Sequence, residues 1–186
     1  MPEDDMSKDT ERPVRLEIKR ASASDVPIVW EIIRESSKWL SDQGLNHWAK
    51  YYTEEMVAKM VHKKEVYMGI ANGKTVGTVT LDTQPPKYYI EPGYSVRFTN
   101  PTDPAIYMTA LAVLPEEQKQ GFAGQLIQIV EDKAREKNIK WLRLDCRTEV
   151  PGLVSLYERK GFERLGDEPT DEGEDGTYWL MEKKLL

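Results

Sequence analysis

The beginning of the chain shows one strand pattern followed by two helical patterns. Apolar residues occupy every second position of residues 14–19, which predicts a half-buried strand. Residues 22–25 offer helix N-cap side chains and Pro27 suits a first helical turn, so the apolar spacing over residues 26–40 predicts a helix. A second, shorter helix is predicted over residues 54–61.

The middle of the chain contains three strand patterns and one long segment without periodicity. Residues 66–71 and 75–81 read as strands, and the Asn-Gly pair between them favours a tight hairpin turn. Residues 105–113 are strongly apolar, which is typical of a strand buried on both faces. Residues 84–104 hold five of the eleven prolines and predict a long loop, either a lid or a wall of a substrate site.

The last third alternates helices and strands. The predicted elements are a helix over residues 121–137, a strand over 141–146, a helix over 152–160, a strand over 162–165, an acidic loop over 167–176 and a strand over 177–183. The resulting order, β-α-α-β-β-β-α-β-α-β-β, predicts one α/β domain of the α+β type with a mixed sheet. This domain is expected to span residues 13–186, after a flexible, polar leader at residues 1–12.

Composition and charge narrow the function classes. The 186 residues carry a net charge of −6, with a sequence pI of about 5.1. A broad nucleic-acid-binding face is therefore not expected, because phosphate binding depends on clustered Lys and Arg. An acidic surface mildly favours cationic substrates such as amines.

The cysteine count bears on metal binding, and the absence of long apolar runs bears on the cellular location of the protein. Cys146 is the single cysteine, and neither it nor His47 and His62 has the spacing of a zinc site, so no metal is expected. The sequence shows no stretch resembling a signal peptide and no run approaching the ~18 apolar residues of a membrane span. These features predict a cytoplasmic protein that does not bind a membrane.

The segment that joins the buried strand to the following amphipathic helix has the sequence Gln118-x-x-Gly121-x-Ala123-Gly124. Small residues let a ligand approach the backbone, and the free N–H groups of a first helical turn carry partial positive charge. Such a junction suits a pyrophosphate, although a tight turn that only begins a helix shows the same pattern. The chain has neither a G-x-x-x-x-G-K-[ST] nor a G-x-G-x-x-G loop, which argues against ordinary nucleotide binding.

A second motif, Leu-Tyr-Glu-Arg-Lys-Gly-Phe, occupies residues 156–162. Together with Ala-Leu-Ala-Val-x-Pro-Glu-x-Gln-x-x-Gly-x-Ala at residues 110–123, it resembles the GNAT acetyltransferase superfamily. The order of elements over residues 14–186 also fits this superfamily. The pattern Trp39-Leu40…Gly44…Trp48 is similar to that of a bacterial subgroup.

The resemblance implies a GNAT fold, with a mixed central sheet of six to seven strands flanked by about four helices. The sheet is expected to splay between its fourth and fifth strands, where a bulge frees backbone groups to hold the pantetheine arm of an acyl-CoA. Acetyl-CoA is the implied cosubstrate. Mapped onto this chain, the expected cosubstrate-binding residues are Leu111, Ala112, Val113, Gln118, Lys119, Gln120, Gly121, Phe122, Ala123 and Gly124. For Lys119 a solvated turn lysine is an equally good interpretation.

The resemblance also implies two catalytic groups. The Tyr157 hydroxyl matches the general acid that protonates the departing sulfur, and its alternative is a packing tyrosine whose hydroxyl bonds to backbone. The backbone N–H of Leu111 is expected to polarise the thioester carbonyl. Neither the sequence nor the resemblance identifies the general base that deprotonates the amine. Asp82, Glu91, Asp145 and Glu149 are candidates, each of which taken alone favours a structural role, and a relayed water is another.

Several residues depart from the family pattern or have two interpretations. Many members carry Asn after the fifth strand, whereas residues 147–152 here contain none. Cys146 favours a buried structural thiol over a covalent acyl-enzyme, and His47 favours a structural role over lining a substrate pocket. The tyrosines of the Pro-rich loop form an aromatic wall for a cation or only fix the loop; they are Tyr88, Tyr89 and Tyr94.

The function predicted from the sequence is N-acetyl transfer from acetyl-CoA to a primary amine of a small molecule or a protein, by direct attack. An amine is therefore the expected partner, and the acidic surface mildly favours one that is cationic. One alternative is a non-catalytic acyl-CoA-binding or sensor module, because the base is unassigned and the Asn is missing. Another is a relative that shares only the fold and binds no CoA. Superfamily members are often dimers, so by analogy a homodimer is the expected alternative to a monomer.

Overall fold

A computed structural model describes residues 13–91 and 97–185. Within these residues the α helices are α1 (Val26–Ser41), α2 (His47–Tyr51), α3 (Glu54–Lys63), α4 (Phe122–Glu136) and α5 (Leu153–Arg159). The strands are β1 (Glu17–Arg20), β2 (Glu65–Ala71), β3 (Lys74–Asp82), β4 (Ala105–Val113), β5 (Trp141–Arg147), β6 (Glu163–Arg164), β7 (Thr170–Asp171) and β8 (Thr177–Lys184). The predicted leader at residues 1–12 lies outside the described residues.

One mixed sheet organises these elements in the order β1-β2-β3-β4-β5-β8-β6, and β7 also pairs with β8. Every neighbouring pair is antiparallel except β4 and β5, which run parallel. The predicted hairpin joins β2 to β3, and both turn residues have positive φ, 49° at Asn72 and 79° at Gly73. Such angles at both positions are those of the turn that Asn-Gly favours.

Helix α4 covers one face of the sheet. Its apolar residues Leu126, Ile127 and Val130 are fully buried against strands β2 to β5. Helix α4 approaches β3 closely because residue 77 is a glycine. A Cβ at Gly77 would lie 2.9 Å from a Leu126 methyl and 2.8 Å from the Ala112 carbonyl oxygen. The N-terminus of α4 is thereby held beside the C-terminal half of β4.

The opposite face is covered in two parts. Helices α1 and α3 pack on β2 and the bulged part of β4 through residues such as Val29 and Val57. The described flanks of the Pro-rich loop cover β4, β5 and β8 instead, where Tyr89 and Phe98 are buried against Trp141. The space between these two parts therefore lies over the junction of β4 and β5.

A buried arginine holds the second flank of this loop to the sheet. Arg143 of β5 is fully buried and donates to the Thr99 carbonyl at 2.7 Å and the Asn100 carbonyl at 2.9 Å. Its Nε lies 3.6 Å from the Glu182 carboxylate of β8, which accepts from the Thr99 N–H at 3.1 Å. The guanidinium thus ties residues 99–100 to two strands.

The predicted fold class is confirmed, and the sheet opens between its fourth and fifth strands as expected. The structure adds α2 and the two-residue strand β7, which lies inside the predicted acidic loop. Strand β1 begins at Glu17 rather than at Val14. Among the described residues, no helix is both long and apolar enough to cross a bilayer.

Candidate functional site

The two parallel strands β4 and β5 pair over only three residues and then separate. The pairs are Ala105 with Trp141, Ile106 with Leu142 and Tyr107 with Arg143. Strand β4 continues to Val113 and β5 to Arg147 without further pairing between them. We call the resulting opening, between residues 108–113 and residues 144–147, the gap.

A bulge in β4 turns its backbone within the gap. Thr80 of β3 lies opposite Thr109 and Thr78 lies opposite Ala112, so Val79 faces two residues of β4, Ala110 and Leu111. Ala110 adopts a left-handed φ of 49°, which L-residues other than Gly, Asn and Asp rarely do. A bulge of this kind bends the strand and re-aims the residues that follow.

The register after the bulge directs two backbone groups into the gap. The Leu114 N–H donates to the Val76 carbonyl of β3 at 2.8 Å. Because backbone groups alternate in direction along a strand, the N–H groups of Val113 and Leu111 point away from β3. The predicted positions Leu111 and Val113 therefore present main-chain donors to the gap, while Ala112 faces β3.

The predicted anion segment forms a turn from β4 into α4. Gln118 follows a short 3-10 helix, and its side-chain amide reaches the Val113 carbonyl at 3.5 Å. Lys119 and Gly121 both have positive φ, 64° and 81°, and Gly121 is the residue that caps α4. A Cβ at Gly121 would meet nothing within 4 Å, so the space over this helix end is open.

The other predicted residues of this segment have different environments. Gln120 is exposed and donates to Glu117 at 3.0 Å. Phe122 is buried in the core, and Ala123 packs partly against the same core, so these two residues offer only backbone groups to a ligand. Lys119 is exposed, which leaves both interpretations of its side chain open.

Lys160 is a residue of this site that the sequence did not indicate. A Cβ added to Gly124 would lie 2.9 Å from the Lys160 ammonium, so the side chain crosses the first turn of α4. Among the described residues the ammonium has no carboxylate partner. A cation beside the positive end of a helix is electrostatically unfavourable unless an anion joins it. Lys160 therefore strengthens the case for an anion site here.

Tyr157 projects from α5 toward the gap from the side of α4. Its ring is buried and stacks edge-on against Phe162, with ring centroids 5.6 Å apart. None of the described residues hydrogen-bonds to its hydroxyl. Burial, followed by the neighbouring Cys146 and Asp145, raises the pKa of Tyr157 well above its usual value, so the hydroxyl stays protonated at physiological pH.

Three of the four carboxylates considered as a general base either have other partners or are exposed to solvent. Asp82 ends β3 and lies 3.7 Å from the Lys64 ammonium. Glu149 pairs with Arg147 at 3.2 Å and accepts from the Thr177 N–H. Glu91 is exposed at the end of the described part of the loop. These contacts favour structural or surface roles.

The fourth carboxylate, Asp145, lies on β5 within the gap. The hydroxyl of Tyr88 donates to its Oδ1 at 2.9 Å, and the hydroxyl of Tyr89 donates to the same atom. Burial raises the pKa of Asp145, and the two tyrosines partly oppose this change. The first flank of the Pro-rich loop is thus a wall of the gap. Tyr94 lies outside the described residues.

Cys146 and His47 do not form a nucleophilic pair. The Cys146 thiol is buried beside Met181, and burial raises its pKa to about 12, as expected for a structural thiol. The His47 ring lies edge-on to Tyr178 with centroids 6.5 Å apart, and its buried Nδ1 has no partner among the described residues. Burial and then Arg147 lower the pKa of His47 to about 4.

Comparisons with known proteins agree with this geometry. The sequence model of the acetyltransferase (GNAT) domain matches residues 37–185. S-(2-succino)cysteine N-acetyltransferase of Bacillus subtilis is 28% identical over 145 residues, covering 76% of this chain and 79% of that protein. An uncharacterised N-acetyltransferase of B. subtilis, YesJ, is 23% identical and covers 87% and 86% of the two chains.

Solved structures share the fold at low sequence identity. A GNAT-family acetyltransferase from Listeria monocytogenes has a TM-score of 0.72 at 19% identity, covering 91% of this chain and 95% of that one. The PaiA N-acetyltransferase of Thermoplasma acidophilum, solved in complex with coenzyme A, has a TM-score of 0.59 at 19% identity, covering 91% and 98%.

Proposed function

The chain belongs to the GNAT acetyltransferase family and is an acyl-CoA-dependent N-acyltransferase, and from this premise we propose that it transfers an acetyl group from acetyl-CoA to a primary amine by direct attack. The acceptor is an amine of a small molecule or of a protein. The observation that carries this proposal is the gap between β4 and β5, which ends at the N-terminus of α4.

The chain offers two kinds of group to the cosubstrate. Leu111 and Val113 present backbone groups that suit the amides of the pantetheine arm, because an extended amide chain can pair with a strand that lacks a neighbour. The backbone N–H groups from Gln118 to Gly124, with the Lys160 ammonium, suit the pyrophosphate. A ligand bound in this way places its thioester in the gap.

Two groups of the chain act on the thioester in this proposal. The Leu111 N–H donates to the carbonyl oxygen and stabilises the negative charge that grows there during attack. The Tyr157 hydroxyl, which no described residue engages, protonates the departing sulfur. No residue needs to become acylated, which agrees with the buried state of Cys146.

The test begins with binding. Gly121→Glu adds a bulky negative group over the open end of α4, and we expect calorimetry to show loss of coenzyme A binding. Gly73→Glu is the matched control, because Gly73 has nearly the same φ, 79° against 81°, and equally open surroundings in the β2–β3 turn. If both variants bind coenzyme A like the unchanged protein, the cosubstrate site is misplaced.

Turnover is tested separately, by release of the coenzyme A thiol across a panel of primary amines. Acetyl transfer to at least one amine is expected. Tight coenzyme A binding without turnover of any amine would instead support the acyl-CoA-binding module and would contradict the proposed enzyme activity.

A further inference from the structure

Asp145 occupies a distinctive place in the sheet. It lies two residues beyond Arg143, the last residue of β5 that pairs with β4. Its neighbours Leu144 and Cys146 are buried in the core under α4. Because side chains alternate along a strand, Asp145 points to the opposite face of the sheet, where the Pro-rich loop lies. It is only partly buried.

The hydrogen bonds of this carboxylate leave one oxygen available. Tyr88 and Tyr89 both donate to Oδ1, whereas Oδ2 accepts no hydrogen bond from another described residue. Among the described residues no Lys, Arg or His forms an ion pair with Asp145. A partly buried carboxylate that has no cationic partner is a candidate for binding a ligand or for taking part in a reaction.

Two aromatic rings contact Asp145 from the loop side, and a second aromatic cluster lies at the end of α2. Tyr88 and Tyr89 stack edge-on with centroids 4.8 Å apart on the loop side. On the α2 side, Tyr52 stacks edge-on with Trp48 and with Tyr51, each at 5.1 Å. Burial, followed by Tyr51 and the Asp145 charge, raises the pKa of Tyr52. Aromatic faces beside a carboxylate are a good environment for an ammonium group.

The cations of β5 and α2 that form ion pairs have their own carboxylate partners. Arg147, two residues further along β5, pairs with Glu149 at 3.2 Å. Lys50 of α2 pairs with Asp175 at 3.5 Å. Neither Arg147 nor Lys50 is therefore an unpaired cation that could bind a carboxylate carried on the acceptor.

From these observations we infer that Asp145, to which Tyr88 and Tyr89 donate, binds the ammonium group of an alkylamine acceptor at Oδ2 and removes its proton. The acceptor class is a primary alkylamine or arylalkylamine without a carboxylate next to the amine. This inference rests on the proposed acetyl transfer and names the substrate class and base of that reaction.

The protons of this step balance when one proton is released to solvent. Asp145 takes one proton from the ammonium and releases it to solvent, and the neutral nitrogen forms its bond to the acyl carbon as the carbon–sulfur bond breaks. Tyr157 gives its proton to the sulfur and regains one through water from the nitrogen, which loses its second proton. The products are the amide, the free thiol and one proton.

The first experiment compares acceptors on the unchanged protein by thiol release. Phenethylamine and 1,4-diaminobutane represent the proposed class, and S-(2-succino)cysteine, the substrate named for the B. subtilis relative, represents amines flanked by carboxylates. We expect kcat/KM to be at least about tenfold higher for one of the two alkylamines, the order of one lost ionic contact. A preference for S-(2-succino)cysteine would overturn the inference while leaving acetyl transfer intact.

The second experiment separates chemistry from loop anchoring. Asp145→Asn keeps an acceptor for both tyrosines, and Tyr89→Phe removes one tether while keeping the carboxylate. Asp145→Asn should lower kcat/KM for alkylamines by about 100-fold or more, the usual range for a lost proton acceptor. Tyr89→Phe should lower it much less, and the matched control Asp82→Asn should stay within about threefold.

A neutral acceptor supplies a readout that a structural role would not change. Aniline is largely unprotonated at neutral pH, so Asp145 has no ammonium to bind and no proton to remove before attack. Asp145→Asn should therefore retain most of the aniline activity while losing the alkylamine activity. Equal losses on both acceptors, or an alkylamine loss no larger than that of Tyr89→Phe, would overturn the inference. If the unchanged protein does not acetylate aniline, the inference is tested by comparing the alkylamine activities of Asp145→Asn and Tyr89→Phe.

These outcomes differ from those expected if the proposed acetyl transfer were wrong. If it were wrong, the unchanged protein would release no thiol with any amine, or would not bind coenzyme A. If the variants bind coenzyme A normally and differ only in their use of amines, the result concerns Asp145 alone.

Discussion

At the scale of single residues, Tyr157 is the clearest test of the chemistry. In Tyr157→Phe the ring contact with Phe162 is retained, so the fold and acyl-CoA affinity should be unchanged. We expect kcat to fall by about 100-fold, because the sulfur loses its proton donor. Steady-state kinetics measure this, with Tyr67→Phe as control, since the Tyr67 hydroxyl bonds to Glu65 away from the gap. Equal kcat in both variants would remove Tyr157 from the acid role.

Lys160 provides a prediction about cosubstrate affinity. Lys160→Met keeps much of the aliphatic stem over Gly124 and removes the charge, so KM for acetyl-CoA should rise about tenfold with little change in kcat. The salt dependence of KM should also weaken. Lys133→Met, near the other end of α4 where Lys133 pairs with Glu136, is the control and should leave KM unchanged. An unchanged KM in Lys160→Met would place the pyrophosphate elsewhere.

Asp145 also predicts a dependence of stability on pH. Burial raises its pKa in the folded protein, so the folded state loses stability as pH rises through that value. Asp145→Asn removes the charge and keeps the hydrogen-bond acceptor. In urea titrations near pH 8 the variant should therefore be at least as stable as the unchanged protein, with a difference that shrinks toward about pH 3. A variant that is less stable at pH 8 would contradict this account.

At the residue scale, the sequence could predict the local backbone setting of a residue where a contiguous pattern carried the information. The positions of Leu111, Gly121 and their neighbours follow from a strand, a turn and a helix that are contiguous in the chain. Lys160 and the partners of Asp145 were not identified, because their contacts join residues far apart in sequence: Lys160 with Gly124, and Tyr88 with Asp145. Only packing brings these residues together.

At the scale of elements, the 3-10 turn that leads into α1 depends on one carboxylate. Asp25 accepts from the Lys19 ammonium at 2.9 Å and from the Ser22 N–H at 2.8 Å, and these bonds lower its pKa from 3.8 to about 2. Its contribution is present above about pH 4 and is lost as pH falls toward 2. Asp25→Asn should cost about 1 kcal/mol at neutral pH, measured by urea unfolding, and the difference should disappear near pH 2. A constant difference across this range would exclude the charge as its cause.

The boundaries of the helices and strands show which elements can be recognised from the sequence. Strand β4 spans the predicted residues 105–113, because a long apolar run between Pro104 and Pro115 has clear limits. Helix α2 and strand β7 were not predicted, since five and two residues are too short to show periodicity. The bulge residue could not be read from the sequence itself, because Ala110 is not a residue type that signals positive φ.

At the scale of the whole molecule, Arg143 joins the loop, β5 and β8. Arg143→Met leaves the Glu182 carboxylate buried without a cation and frees three carbonyl groups, which include those of Thr99 and Asn100. We expect a loss of about 3 kcal/mol in urea unfolding, the order seen when one partner of a buried ion pair is removed. Adding Glu182→Gln should recover part of it. A loss below about 1 kcal/mol would show that the loop is held by other contacts.

The global fold was more predictable than the course of its long loop. The order of strands and helices, together with two motifs, was sufficient to infer the mixed sheet and its opening. The loop over residues 84–104 has no periodicity, so its anchoring through Tyr89 and Arg143 became visible only in three dimensions. Its first flank lies against the gap through Tyr88 and Tyr89, and its role as a lid or as a wall of a substrate site stays a prediction.

The parting of β4 and β5 leaves an unfilled strand position inside the sheet. A cosubstrate that lies there would act as an additional strand, recognised by main-chain atoms rather than by side chains. Substitutions at the partly buried Leu111 that preserve the bulge should then be tolerated over evolutionary time, whereas Gly121 should not be replaceable. Deuterium exchange at the amides of Leu111 and Val113 should slow sharply once this vacant position is filled.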